Sequence, residues 1–105
     1  MELAFNTQSL RDTCEDAELA SSQFGGEVAA DLRRRLADLR AATSVRDLVA
    51  GNPRVMVDKF LIDIGRSYVL ELVPNHVKNP VMPDKRTDWG RVTRVRVLEV
   101  RLAES

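Results

Sequence analysis

The segment Phe60-Leu-Ile-Asp-Ile-Gly-Arg-Ser-Tyr-Val-Leu-Glu-Leu-Val-Pro74 carries the clearest pattern in the chain. Apolar residues recur at every second position on both sides of Gly65-Arg66, which is the period of β-strands. Glycine tolerates the positive φ angle of tight hairpin turns, so a turn near Gly65 would join the two runs. The segment therefore predicts an antiparallel hairpin, with Phe60, Ile62, Ile64, Tyr68, Leu70 and Leu72 as its alternating apolar positions.

Two further strands are predicted outside this hairpin. One covers residues 2–5, and the other covers about 92–102, after a proline-bracketed loop at about 74–91. The apolar parity of the last strand shifts between Val97 and Leu98, which indicates a β-bulge or a strand covered on both faces. By period two alone, Arg94 and Arg96 share one face of that strand and Arg101 takes the other.

The first half of the chain predicts helices. Asn6 or Thr7 can cap a first helix that carries Leu10, Cys14 and Ala17 at helical spacing, with a break at Gly25-Gly26. A second helix at about 26–42 has one apolar stripe, formed by Val28, Leu32, Leu36 and Leu39. The capping-box spacing of Ser44-Val45-Arg46-Asp47 predicts one more helical turn. We therefore predict a single α+β domain over 1–105, with two N-terminal helices packed on a small curved antiparallel sheet.

Composition indicates a cytoplasmic protein. The single cysteine, Cys14, excludes an internal disulfide, which favours a reducing compartment. Residues 1–5 lack the features of a signal peptide, and no stretch approaches the roughly 20 apolar residues of a membrane helix. The net charge of zero hides a split: residues 1–50 hold 6 basic and 9 acidic residues, whereas residues 51–105 hold 10 and 7. The basic half could meet nucleic acid, or the two halves could be ordinary solvated surfaces.

Several strong chemical motifs are missing from the sequence. It has no Cys/His cluster of zinc-binding spacing and no glycine-rich phosphate loop, so we expect neither a metal nor a cofactor. The only histidine, His76, lies in a Pro-Asn-His turn. It could act as a general base, or it could bond to nearby backbone in the turn.

Basic residues on the predicted sheet are the main candidates for a site. Arginine can bind RNA phosphate and stabilise the charge that builds up during cleavage by a ribose 2′-hydroxyl, and tyrosine can stack on a base. The candidates are Arg66, Tyr68, Arg91, Arg94, Arg96 and Arg101. In the alternative interpretation Tyr68 belongs to the core, and the arginines pair with Glu99, Glu71 and Asp63.

Motifs along nearly the whole chain resemble those of one family. In order they are Met1-Glu-Leu-Ala-Phe, Leu10-Arg11 with Cys14-Glu15, Leu36-Ala-Asp-Leu-Arg-Ala-Ala42, Asp47-Leu48 with Ala50-Gly-Asn-Pro53, Pro74-Asn-His76, and Asp88-Trp89 before Val92-Thr93. The chain resembles killer proteins of the HigB type, within the RelE/ParE superfamily of type II toxin–antitoxin modules. Most of these motifs are packing and turn residues.

The resemblance implies a toxin that enters the ribosome and cuts mRNA without a metal, through attack by the 2′-hydroxyl. It also implies a small helix-turn-helix antitoxin that binds and silences the toxin, and contact with operator DNA only through that antitoxin. Arg66, Arg94, Arg101 and His76 would be the catalytic candidates, and Tyr68, Arg91 and Arg96 would contact RNA.

The chain departs from the family pattern at two places. RelE-like nucleases commonly carry an arginine directly after the hairpin aromatic residue, where this chain has Val69, and many end the last strand with a Tyr or His that this chain lacks. Arg66 is a possible substitute for the missing arginine. Two alternatives to a nuclease therefore stay open: an antitoxin-binding protein that has lost cleavage, and a ParE-like gyrase poison.

Overall fold

A computed structural model describes residues 1–103 of the chain. It confirms the α+β class and contains three α-helices and five strands within those residues. The elements are β1 (Glu2–Phe5), α1 (Gln8–Glu15), α2 (Ala17–Phe24), α3 (Gly26–Ala41), β2 (Arg54–Met56), β3 (Lys59–Ile64), β4 (Tyr68–Pro74) and β5 (Arg94–Leu102). Single 3₁₀ turns lie at Val45–Asp47, where the capping box predicted one, and at Trp89–Arg91.

The strands form one sheet in the order β1-β5-β4-β3-β2. The pairs β2/β3, β3/β4 and β4/β5 are antiparallel, but β1 runs parallel to β5. The prediction of a purely antiparallel sheet is therefore wrong, because the N-terminal strand, itself predicted correctly, joins the edge of the last strand in the same direction. Strand β2 was not predicted.

The predicted central hairpin is confirmed in β3 and β4. Ile64 pairs with Tyr68, and Gly65 in the turn between them has a φ of +61°. The backbone N–H of Gly65 donates to the carboxylate of Asp31 at 2.6 Å, which ties the turn to helix α3.

Two N-terminal helices were predicted, but the segment before Gly26 forms two short helices instead of one. Asp16 ends α1 and begins α2, because its carboxylate accepts hydrogen bonds from the backbone N–H groups of Glu18 at 2.9 Å and Leu19 at 3.2 Å. An aspartate in this role stabilises a new helix start. Ala17 therefore belongs to α2 and not to the helix that contains Cys14.

One face of the sheet packs against the helices. The stripe of α3 is confirmed as core, since Leu32, Leu36 and Leu39 are at most 1% exposed. Their partners are the alternating residues of the central strands, and this shared core includes Phe60, Ile62, Ile64, Leu70, Leu72, Val95 and Val97.

Of the two interpretations of the shifted parity in β5, a bulge or a strand covered on both faces, the structure shows the bulge, which changes the face of one arginine. Val97 pairs with Leu72 but Glu99 pairs with Glu71, so Leu98 is the extra residue. Beyond it the alternation is reversed. The prediction that Arg101 lies opposite to Arg94 and Arg96 is wrong, because the bulge turns Arg101 onto their face.

Candidate nucleic-acid interface

The face of the sheet opposite to the helices carries most of the candidate residues, and we call it the open face. It consists of the strand residues that alternate with the core positions. Its basic members are Arg54, Lys59, Arg94, Arg96 and Arg101, and its acidic members are Glu2, Asp63, Glu71 and Glu99. The face is therefore rich in charge but only slightly basic in sum.

Glu71 forms the centre of an ion-pair network on the open face. Its side chain is only 7% exposed, yet its Oε1 lies 2.7 Å from Nη2 of Arg101 and its Oε2 lies 3.3 Å from Nζ of Lys59. Burial raises the pKa of this carboxyl, but hydrogen bonds from Arg101 and Lys59 outweigh burial and hold the pKa below its ordinary value. Arg101 also reaches Glu99 at 3.4 Å.

Arg94 and Arg96 occupy the other end of β5. Nε of Arg94 lies 3.1 Å from the carboxylate of Glu2, in an ion pair whose two members are both more than half exposed. Arg96 is exposed between Val73 of β4 and Ala4 of β1, and no carboxylate within residues 1–103 forms an ion pair with it. Its guanidinium is available to a phosphate.

His76 and Arg91 lie in the loop that precedes β5. Nε2 of His76 accepts a hydrogen bond from the backbone N–H of Thr93 at 3.1 Å, so this nitrogen fixes the loop against the start of the strand. Nε of Arg91 donates to Asp88 at 2.8 Å, and its Nη2 donates to the carbonyl of Val81 at 3.0 Å. Both side chains therefore hold loop backbone in this conformation.

Tyr68 and Arg66 are on the opposite side of the sheet from the arginines of β5. The ring of Tyr68 meets that of Phe24 edge-on, with 5.0 Å between the ring centroids, and packs against the core. Arg66 is exposed in the hairpin turn and borders, with Tyr68, a groove against α3. Tyr68 therefore packs with the core, as the alternative interpretation of the sequence expected, and not on the face of the β5 arginines.

The structure brings some of the predicted site residues together and separates others. Arg94, Arg96 and Arg101 share the open face, although Arg94 and Arg101 are seven residues apart, roughly 20 Å along a strand. His76 and Arg91 lie beside one end of this row, and Arg66 and Tyr68 lie behind the sheet. Sequence reasoning missed Lys59 and Arg54. Period two from Phe60 could have placed Lys59 on the open face, but Arg54 lies in the strand that was not predicted.

Metal ligands and the single cysteine were also considered within residues 1–103. No group of three or more His, Cys, Asp or Glu side chains there could hold a metal ion. Cys14 is buried, and burial raises the pKa of its thiol to about 11, so it stays protonated at neutral pH. None of the helices in the same range is long and apolar enough to cross a membrane.

Comparisons with known proteins leave the chain without an assigned family. Neither a protein-family model, nor a curated protein, nor a solved structure matches it.

Proposed function

We propose that the chain is the toxin of a type II toxin–antitoxin module, of the HigB type within the RelE/ParE class, and that it cuts mRNA on the ribosome. The observation that supports this proposal most is the row of Arg94, Arg96 and Arg101 on a sheet face that the helices leave uncovered. The packing of N-terminal helices on the other face also agrees with what the resemblance implies.

The proposed chemistry needs a phosphate clamp and a route for protons. In this reaction the ribose 2′-oxygen attacks the adjacent phosphorus, and the bond to the 5′-oxygen of the next nucleotide breaks. Arginine binds the phosphate in a bidentate manner and never loses its charge near neutral pH. Arg96 is the clamp residue with the fewest competing contacts, and His76, the only histidine of the chain, is the candidate general base.

The proposed cleavage reaction requires the ribosome. The candidate residues are spread over two faces and one loop, so the isolated chain does not hold a compact catalytic group. Ribosomal RNA can orient the message and supply missing positioning, because orientation alone accounts for a large part of many rate enhancements. Activity is therefore expected with translating ribosomes and not with free RNA.

Cleavage is best tested in a translating extract by mapping the 5′ ends of a reporter mRNA. The wild type is compared with Arg94→Ala, Arg96→Ala, Arg101→Ala and His76→Ala, each confirmed to be folded. Arg33→Ala on the exposed side of α3 is the charge-matched control. Loss of a clamp arginine should lower the rate on the order of 100-fold or more, while the control cuts like the wild type. If the folded wild type leaves mRNA intact on translating ribosomes, the nuclease proposal fails.

A second candidate is a member of the same class that binds an antitoxin without cutting RNA. Specific contacts favour it: Arg101 is paired with the buried Glu71, and Nε2 of His76 is used by the backbone of Thr93. A gyrase poison is the third candidate, and inhibition of DNA supercoiling by purified gyrase would identify it.

Both leading candidates share a cytoplasmic helix-turn-helix antitoxin as partner, with operator DNA bound only through the antitoxin. Co-expression with the product of a neighbouring small gene should relieve toxicity, and the two proteins should purify together. If the chain alone is harmless at high expression and captures no neighbouring product, the toxin–antitoxin assignment is wrong.

A further inference from the structure

An apolar cleft lies beside the free edge of the sheet, on the side of the helices. Its volume is about 430 Å³, and it opens next to β2, the last strand in the sheet order. Two of its apolar side chains are largely exposed, Val55 at 49% and Met82 at 43%. The apolar lining consists mainly of Val45, Leu48, Val55, Phe60, Met82 and Trp89.

The backbone of β2 adds hydrogen-bonding groups to this cleft. A two-residue turn joins Met56 to Lys59, and Val55 pairs with Phe60 one step further from the turn. In an antiparallel ladder, hydrogen-bonded and non-hydrogen-bonded pairs alternate, so the N–H and C=O of Val55 point away from β3, towards the free edge. One more strand could therefore pair with Val55 while its side chains reach the cleft.

The basic charge of the cleft indicates which kind of partner segment could bind there. No acidic residue lines it, and the guanidinium of Arg46 at its rim forms no ion pair within residues 1–103. Arg46 packs against the backbone of Gly90, where an added Cβ would lie only 2.9 Å from its Nε. The indole N–H of Trp89 is buried and also lacks a hydrogen-bond partner in this range. An occupant with a carboxylate beside an apolar side chain complements Arg46 and the apolar lining of the cleft.

We propose that this cleft docks an extended segment of a partner protein, in which an apolar residue is flanked by acidic residues. The segment adds a strand at Val55, places its apolar side chain over Phe60 and Trp89, and pairs a carboxylate with Arg46. Recognition by an added strand combines backbone hydrogen bonds with pockets for alternate side chains.

A second copy of the chain fits this cleft less well than an acidic segment. Two copies paired edge to edge would bring the positive charges of Arg46 and Arg54 in one copy close to the same charges in the other. Arg54 also already has a partner, Asp63 of its own chain. The cleft lies on the helix side of the sheet and shares only Arg54 with the open face. This inference therefore does not depend on RNA cleavage.

Selection from a library of random nine-residue linear peptides displayed on phage, with the immobilised full chain as target, tests the proposal. Selected peptides are synthesised with Phe in place of any Trp, so that Trp89, the only tryptophan in the chain, reports binding at the cleft by its fluorescence. Each is titrated against the wild type, Arg46→Glu and, as a charge-matched control, Arg33→Glu on α3. N-methylation of each peptide amide in turn probes strand pairing without any change in the protein.

The proposal expects a consensus of apolar residues flanked by Asp or Glu and a change in Trp89 emission on binding. Binding should weaken about tenfold with Arg46→Glu and stay unchanged with Arg33→Glu. N-methylation should weaken binding at alternate positions only, as in a β-ladder. The proposal would be overturned if the selection gave no binders or if the consensus contained no acidic residues. It would also be overturned if Trp89 fluorescence did not change on binding, or if Arg46→Glu bound the peptides as tightly as the wild type.

Discussion

Arg101 of β5 holds Glu71 of β4 through a single carboxylate oxygen. Its Nε lies 2.8 Å and its Nη2 lies 2.7 Å from Oε1 of Glu71, and the other carboxylate oxygen is left to Lys59. The bulge at Leu98 makes this contact possible, because it turns Arg101 onto the face of Glu71. The same arginine is thus a candidate for phosphate binding and the main partner of a buried charge.

Replacing Glu71 with Gln should destabilise the fold. The amide has no negative charge and only one acceptor oxygen, so it cannot bind Arg101 and Lys59 as the two carboxylate oxygens do. Hydrogen bonds to charged groups typically contribute about 1.5–3 kcal/mol each. Because both cations are partly exposed, we expect a total loss of about 1–3 kcal/mol in the free energy of unfolding. Urea melts at pH 7 measure it, with Glu15→Gln as control, because Glu15 is an exposed carboxylate of α1 that forms no ion pair within residues 1–103. Equal melts for the two variants would show that the network adds no stability.

Stability should also depend on pH through Glu71. Its pKa in the folded chain lies below the ordinary value of 4.5, so the unfolded chain binds the proton more readily. The contribution of this carboxylate is therefore complete above about pH 5 and is lost as the pH falls through the folded pKa. The difference in unfolding free energy between the wild type and Glu71→Gln should shrink between pH 5 and pH 3. A constant difference across that range would contradict the ion-pair assignment.

The fold was predictable where the pattern is local. The period of two around Gly65 and the stripe of α3 each need only nearby residues. The parallel pairing of β1 with β5 joins residues about 90 positions apart, and no local pattern encodes it. Strand β2 has three residues directly after Pro53, too few for a period to show. The division at Asp16 was hidden because Cys14 and Ala17 keep helical spacing across it.

The candidate site was predictable only in part. The parity of Arg94 and Arg96 follows from their separation of two residues. The apolar pattern indicated a bulge in the last strand. Placing Arg101 on the correct face also required the reversed alternation after the bulge to be applied to Arg101. The contact of Lys59 with Glu71 was not predicted, because Glu71 lies 12 positions away on another strand and the pairing depends on strand register. Register is set by turns and by the whole hydrophobic pattern, not by the charged residues themselves.

Truncation of Leu36 should reveal the cost of a cavity under the sheet. Leu36 is 1% exposed within the shared core, and Leu→Ala changes at such sites typically cost about 2–5 kcal/mol. Leu19→Ala on α2, where the leucine is 47% exposed, is the matched control and should cost under about 1 kcal/mol. Denaturant unfolding followed by circular dichroism gives both values. A loss below about 0.5 kcal/mol for Leu36→Ala would mean that the stripe of α3 is not core.

Val57 in the β2–β3 turn is the place where a substitution should stabilise the chain. Its φ of +58° lies in the left-handed region, which costs a residue with a Cβ roughly 1–2 kcal/mol and suits β-branched residues least. The side chain is 88% exposed, so little packing offsets this strain. Val57→Gly should therefore raise the free energy of unfolding by about 0.5–1 kcal/mol, after the greater entropy of glycine in the unfolded chain is subtracted. Val49→Gly is the matched control, because Val49 is 90% exposed but has no positive φ, and this variant should be neutral or destabilising. Thermal and urea melts of the two variants beside the wild type decide the matter: if Val57→Gly destabilises as much as Val49→Gly, the turn carries no left-handed strain at Val57.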